Sequence, residues 1–473
     1  MNKENHNPSN TEIKELIDTY KSKKFNLAIK LATTLTQKYP SNQFCWKVLG
    51  TLLSITGEKK KALNANRQAV NLSPKDFESQ NSLGNSLRAL GKLDEAINSY
   101  KISVSLKPDY TAAYYNLASC LQTIGKFEES KIMYGKFIYL KSDYPEAYFN
   151  LGNVLRELNE YEKAEHNYKK AIKLNTIYTE AYNNLGVVLR LLGRLEESEK
   201  NFKQAIKLNP KYFEAYNNLG LIKQEIGELE EAKICFEKVI FNKSDFDAAH
   251  YNLGITLEKL GKLNESKLSY ENAIKINSNN ANYHNNIGMV LQELGQLDSA
   301  EQSYKKAIKL NPDDVDANFN LSMLLNLKGE LKEGFNLYEW RYHEKNNLVK
   351  APRKEFACNG IDSIKNRNFL VYEEQGIGDI IQFYRYLNLP QLNKSNVTFK
   401  VKSNLHRLLK NSNNNIKITD NFPEKSNIDF ECPLLSLPNL FKTEINSIPN
   451  YVPYLKAETK NVERWAQKLK SDK

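Results

Sequence analysis

One sequence position recurs along this chain at a constant step of 34 residues, with no insertion or deletion across nine copies. Six copies hold a Leu-Gly pair there, and the other three hold Leu117-Ala118, Ile287-Gly288 and Leu321-Ser322. A period of about 20–50 residues indicates stacked units, each too small to bury its apolar face except against its neighbours. The chain is therefore predicted to form an extended array rather than one compact core. The six Leu-Gly pairs are Leu49-Gly50, Leu83-Gly84, Leu151-Gly152, Leu185-Gly186, Leu219-Gly220 and Leu253-Gly254.

Three further positions keep the same step, and each has a mechanical reason. A glycine, replaced once by asparagine, stands between two helices, because a left-handed helix exit favours these residues. A small residue follows where helix backbones approach closely, and then an aromatic ring that we expect to fill the seam between consecutive helix pairs. The exit position holds Gly57, Gly91, Gly125, Asn159, Gly193, Gly227, Gly261, Gly295 and Gly329. The aromatic position holds Tyr100, Tyr134, Tyr168, Phe202, Phe236, Tyr270, Tyr304 and Tyr338.

This combination of positions resembles the tetratricopeptide repeat. The resemblance implies two helices per copy and a right-handed α-solenoid with an extended inner groove. One step before the first Leu-Gly pair, Ala28 and Pro40 fall in register, so a degenerate first copy brings the total to about ten. We therefore predict a disordered tail over residues 1–8 and a solenoid over residues 9–348.

An asparagine stands immediately before the Leu-Gly slot in seven consecutive copies. Asparagine is a mediocre helix former, so its repetition inside a helix needs an explanation. Its amide offers donors and an acceptor that can satisfy a peptide unit of an extended chain lying in the groove. The alternative is that each asparagine bonds an adjacent helix and binds no ligand. This asparagine ladder consists of Asn116, Asn150, Asn184, Asn218, Asn252, Asn286 and Asn320.

The asparagine ladder resembles the repeat region of the O-linked N-acetylglucosamine transferases. That resemblance implies a grip on the backbone of protein substrates. We therefore expect a protein or peptide partner in the groove.

After Tyr342 the 34-residue pattern stops, and the character of the sequence changes. Residues 349–367 read as a linker, and Asn368–Tyr372 as a buried strand that runs into a turn containing Gly376 and Gly378. A strand, a glycine turn, a helix and a second strand predict a parallel sheet with a right-handed crossover. The fold class is thus mainly α, with a partial α/β Rossmann-like domain over residues 368–473. Further strands are predicted at 397–401, 416–419 and 428–432, and helices at 380–387, 403–410, 434–441 and 461–473.

The glycine turn taken alone is compatible with a phosphate cradle or with a tight turn that binds nothing. In its wider context, the segment resembles bacterial tetratricopeptide proteins fused to a heptosyltransferase-like glycosyltransferase domain. The resemblance implies two Rossmann-like halves, with Asp379 as candidate general base and Gly376 and Gly378 shaping its loop. The motifs that carry it are Glu374-Gln375-Gly376-Ile377-Gly378-Asp379, Cys432-Pro433-Leu434-Leu435-Ser436-Leu437-Pro438 and Val452-Pro453-Tyr454-Leu455.

The segment from Phe369 to Lys473 is long enough for only one such half, so we expect the donor-binding half to be missing from this chain. No cofactor is expected here, and a nucleotide sugar is expected as donor substrate only in a full transferase. The residues therefore favour a protein-binding scaffold that holds an extended polypeptide. The alternative is a glycosyltransferase, acting in protein O-glycosylation or on a heptosyltransferase-like acceptor.

The composition argues against several other classes of protein. No apolar run approaches the roughly 18 residues of a membrane span, and the polar start leads into no apolar signal segment. Five scattered cysteines without a C-x-x-C pair argue against a disulfide framework and a zinc site, and favour a cytoplasmic protein without a metal. The net charge of +11 comes from 67 basic residues interspersed with 56 acidic ones, so we expect no nucleic-acid partner.

Overall fold

The computed structural model describes residues 7–343, 351–358, 360–374, 376–410, 412 and 415–471. Most of the predicted tail, the end of the predicted solenoid, part of the linker and Gln375 lie outside these residues. The chain divides into two compact units, Met1–Ser244 and Asp245–Lys473, which we call unit 1 and unit 2. Among the described residues, no helix has the length and apolarity needed to cross a lipid bilayer.

The described part of unit 1 consists of helices α1 to α14, arranged as seven consecutive pairs. Short polar caps begin several of them; the Asp76 carboxylate, for example, accepts a hydrogen bond from the backbone N–H of Ser79 at the start of α5. The helices are Asn10–Lys21, Phe25–Lys38, Gln43–Ile55, Lys59–Leu72, Phe77–Ala89, Leu93–Leu106, Thr111–Thr123, Phe127–Leu140, Pro145–Glu157, Tyr161–Leu174, Thr179–Leu191, Leu195–Leu208, Phe213–Glu225 and Leu229–Asn242.

The turn inside each pair confirms the predicted left-handed helix exit. All eight glycines at the exit position have φ between 73° and 84°, and Asn159 has φ of 59°. Backbone conformations with positive φ penalise residues that carry a Cβ, and glycine and asparagine tolerate them best. The backbone conformation at this position therefore favours glycine, with asparagine as the tolerated substitute.

The aromatic position confirms the predicted seam. Tyr168 is fully buried and clusters with Leu185 and Val188, which belong to the next helix pair. The small position is equally buried, and where it holds serine the hydroxyl bonds the facing helix: Ser198 Oγ donates to the Gly186 carbonyl at 2.6 Å. Neighbouring pairs thus bury their apolar side chains against one another, in a series of clusters along the unit.

Within each unit, first helices of successive pairs lie close to one another. In unit 1, successive first helices from α3 to α13 contact one another, and in unit 2 α17 contacts α19 in the same way. Second helices of successive pairs approach each other less closely. The surface of the first helices is therefore the predicted groove, within each unit. The right-handed sense of the array stays a prediction.

The described part of unit 2 begins with three more pairs, α15 to α20, and ends in a small α/β module. The pairs span Asp247–Lys259, Leu263–Ile276, Ala281–Glu293, Leu297–Leu310, Val315–Lys328 and Leu331–Tyr338. The module contains strands β1 to β4 at Asn368–Tyr372, Asn396–Lys400, Lys417–Thr419 and Phe430–Pro433. Its helices α21 to α24 span Ile377–Phe383, His406–Lys410, Leu437–Leu440 and Thr459–Ser471.

The four strands form one parallel sheet in the order β3-β2-β1-β4, which confirms the predicted strands and their parallel pairing. Val371 of β1 pairs with Phe399 of β2 and Cys432 of β4. β1 is buried along almost its whole length, as the central strand of a parallel sheet should be. Tyr384 and Leu409 complete this core from the segments that follow β1 and β2.

Candidate functional site

The asparagine ladder lies on the first helices of seven consecutive pairs, α7 to α19. Asn252 is buried, and the other six side chains are half-buried. The six half-buried side chains lie at the boundary between the interior of their unit and its surface. All seven asparagines lie in the first helix of their pair, and a role in a peptide-binding groove stays a prediction.

At least six of the seven amides donate a hydrogen bond to the preceding helix pair. Asn150 Nδ2 lies 2.9 Å from the Tyr115 hydroxyl, and Asn286 Nδ2 lies 3.1 Å from the Tyr251 hydroxyl. The other four amides donate to asparagine side-chain oxygens. These bonds are Asn116 to Asn81 at 3.0 Å, Asn184 to Asn153 at 2.8 Å, Asn218 to Asn183 at 2.9 Å and Asn320 to Asn285 at 3.1 Å.

These hydrogen bonds are the ones expected if each asparagine bonds an adjacent helix. They do not test whether the same amides also bind a ligand. An asparagine amide has two N–H donors and an oxygen with two lone pairs, so one bond to a neighbour uses only part of its capacity. The bond also holds the amide in one orientation. A row of amides fixed in this way is a pre-organised hydrogen-bonding surface.

A second periodic position, three residues after each ladder asparagine, was missed in the sequence. Residues three apart on a helix are neighbours on one face. The position holds Ser119, Asn153, Val187, Leu221, Ile255, Met289 and Met323, so it changes from polar to apolar along the chain. The 34-residue step that revealed the ladder would have revealed this change as well.

The predicted glycine loop follows β1 and leads into α21. Gly376 precedes the helix with φ of −61°, Gly378 and Asp379 lie in its first turn, and Asp379 is half-buried. A Cβ placed on Gly376 or Gly378 meets nothing within 4 Å, and neither residue has a left-handed φ. The fold of the chain therefore does not require glycine at either position. What glycine supplies here is unobstructed approach to the backbone at the carboxyl end of the central strand.

A buried charge network joins the last helix pair to the α/β module inside unit 2. Arg341 is 1% exposed, and its Nε and Nη2 lie 3.1 Å and 2.9 Å from Glu374 Oε1. Nη2 also donates to Ser436 Oγ at 2.7 Å, and the backbone N–H of Leu435 donates to Glu374 Oε2 at 2.8 Å. Burial raises the pKa of the Glu374 carboxyl, and the Arg341 charge opposes that rise. The network thus fixes Glu374, two residues before Gly376.

Among the described residues, no group of three or more histidine, cysteine, aspartate or glutamate side chains is placed to hold a metal ion. The five cysteines carry free thiols, and four of them are buried.

Comparison with known families shows that the chain contains tetratricopeptide repeats. Family profiles described as tetratricopeptide repeat or TPR repeat match both units. The matched segments are residues 84–125, 111–144, 145–175, 188–227, 259–295, 281–314 and 303–334. The repeats support a protein-interaction scaffold, because arrays of this kind offer extended binding surfaces. No curated protein sequence matches the chain significantly.

Solved structures similar to this chain include other repeat proteins. MamA is 28% identical over 34% of this chain and 95% of its own, with a TM-score of 0.34. YrrB, described as a TPR protein with an unusual peptide-binding site, is 24% identical over 40% of this chain and 96% of its own, with a TM-score of 0.36. A tetratricopeptide repeat protein from Parabacteroides merdae is 19% identical over 53% and 99%, with a TM-score of 0.45.

Proposed function

We propose that this protein is a scaffold that holds an extended polypeptide along its first helices, with the asparagine ladder bonding the backbone of the bound chain. One observation carries the proposal. An asparagine amide recurs at one position of these repeats, half-buried in six of the seven, and hydrogen bonds to neighbouring side chains help to fix its orientation. The cytoplasm is the proposed location, because free buried thiols suit a reducing compartment.

The chemistry of an amide matches that of a peptide unit. Each peptide unit offers one donor and one acceptor, and an asparagine can bond to both. Such hydrogen bonds do not depend on the side chains of the ligand, so a row of them can bind any extended segment. The identity of the partner is then decided by the groove positions beside the ladder.

The test replaces Asn286 by alanine and, as a matched control, Tyr251 by phenylalanine. Both substitutions remove the same 3.1 Å hydrogen bond between helix pairs, but only the first removes the ladder amide. We expect both variants to lose a similar stability, about 0.5–1.5 kcal/mol. Only Asn286→Ala should weaken the binding of an extended peptide, measured by fluorescence anisotropy on the full chain.

Equal peptide affinity in the two variants, with equal loss of thermal stability, would show that the asparagines serve the solenoid alone. The same comparison is available in unit 1, where Asn150→Ala and Tyr115→Phe break one shared bond.

A second candidate function is glycosyl transfer, favoured by the open glycines at the carboxyl end of β1. Ligands of parallel α/β sheets bind outside that end. In this proposal, Asp379 acts as the base toward an acceptor hydroxyl and a nucleotide sugar is the donor. The scaffold proposal expects no saturable binding of UDP-N-acetylglucosamine to the full chain by calorimetry. Saturable micromolar binding would contradict the scaffold proposal and favour the transferase.

A further inference from the structure

An apolar row lies beside the asparagine ladder in unit 2. It consists of Ile255, Met289 and Met323, each three residues after a ladder asparagine and one repeat from the next. Ile255 is half-buried, Met289 is 36% exposed and Met323 is 46% exposed. Leu327, one helical turn after Met323, is 66% exposed and extends the row on α19.

The composition of this row is unusual for the chain. Methionine occurs four times in the sequence, and two of the four stand at this one repeat position. The earlier copies of unit 1 place Thr51, Asn85 and Ser119 there, so the repeat fold does not require an apolar residue. Unbranched, polarizable side chains adapt to varied partners and are frequent at binding surfaces.

The charges nearby limit what can cover the row. The same first helices carry Lys259 and Glu293 at one repeat position and Asp316 near the start of α19. Both signs are present, and neither forms a stripe. A surface with amides, apolar side chains and mixed charge suits a near-neutral polypeptide, and it lacks the clustered cations that a phosphate-rich ligand needs.

The spacing of the repeats sets the spacing of the ligand. Packed helices lie about 8–10 Å apart, and an extended chain in the polyproline II conformation advances about 3.1 Å per residue and returns every third side chain to the same face. One repeat therefore corresponds to about three residues of bound chain.

We propose that the inner surface of unit 2 selects extended, near-neutral segments that carry an apolar side chain at about every third residue. Ile255, Met289 and Met323 receive these side chains while Asn286 and Asn320 bond the backbone between them. This inference rests on the proposed scaffold function and adds the class of segment that the scaffold holds.

The test uses three labelled synthetic peptides against the full chain. The first has five Ser-Leu-Asn triplets, the second has the same composition with its leucines consecutive, and the third has serine in place of leucine. We expect the first peptide to bind about tenfold more tightly than either control, because each buried leucine adds apolar contact.

The variant Met289→Gln/Met323→Gln should abolish this preference. Leu268→Gln is the matched control, since Leu268 is 58% exposed on the second helix α16 and lies outside the row. Circular dichroism should show equal helicity in all three proteins. Unchanged preference in the double variant would overturn the inference.

Two further outcomes separate this inference from the function on which it rests. Equal binding of all three peptides, weakened by Asn286→Ala, would overturn the apolar selection and leave the peptide scaffold standing. Failure of every peptide to bind would overturn both.

Discussion

The glycine of the Leu-Gly pair is explained by the aromatic ring that packs against it. A glycine inside a helix costs about 0.5–1 kcal/mol relative to alanine, so its recurrence needs a compensating contact. A Cβ on Gly152 would lie 2.7 Å from Cε1 of the Tyr168 ring, and a Cβ on five further glycines at this position would lie 2.5–2.7 Å from the equivalent ring. Gly50 faces Asn66 instead of a ring, and Ala118 and Ser322 stand at the same repeat position. In the six copies that carry both, the glycine and the ring therefore form one packing unit.

We predict that Gly152→Ala lowers the free energy of unfolding by about 1–3 kcal/mol, because the added methyl overpacks the ring. Gly135 provides the control, since it also lies inside a helix but a Cβ there meets nothing within 4 Å. Gly135→Ala should raise stability by up to about 1 kcal/mol. Urea unfolding followed by circular dichroism measures both changes. A Gly152→Ala variant as stable as the parent would contradict the packing argument.

At the scale of elements, the most consequential contact is the buried charge network between the last helix pair and the α/β module. Arg341 lies in the segment after α20. Its side chain donates hydrogen bonds to Glu374, which follows β1, and to Ser436, which follows β4. Phe335 of α20 also packs against Phe383 of α21, with ring centroids 6.3 Å apart. Helix α21, which carries Asp379, thus packs against the second helix of the last repeat.

We predict that Arg341→Met destabilises unit 2 by about 3–5 kcal/mol, since it leaves the Glu374 carboxylate buried without its cation. Arg367→Met is the control: this exposed side chain lies 3.8 Å from Asp429, and such surface pairs contribute about 0–1 kcal/mol. Thermal unfolding should show a large shift for the first variant and almost none for the second. Similar small shifts in both would indicate that the network contributes little.

At the scale of the whole molecule, the repeats and the α/β module are stabilised by contacts of different range along the sequence. The repeats are stabilised between near neighbours, so each pair depends mainly on the pairs beside it. The α/β module depends on contacts between β1, β2 and β4, which are distant in sequence. The chain divides by contacts at Ser244 and Asp245, within the repeats, so the module and the last three pairs belong to one compact unit.

The sequence by itself determined the helix pairs, their turns and the four strands. These features follow from local chemistry: a fixed period, a left-handed glycine or asparagine at each turn, and short apolar runs. It also located the asparagine ladder, because a side chain that recurs at the repeat step must recur at one place in the fold. The match to tetratricopeptide repeat profiles rests on the same positions.

Only the tertiary structure decided what those residues contact. The partners of Asn150 and Asn286 lie 35 residues earlier in the chain, and the partners of Arg341 lie 33 and 95 residues later. No local pattern encodes such contacts, because they depend on how helix pairs stack and on which strand lies at the centre of the sheet. The 34-residue period predicted an array of repeats, and only the packing between those repeats showed that ladder amides bond to the preceding helix pair.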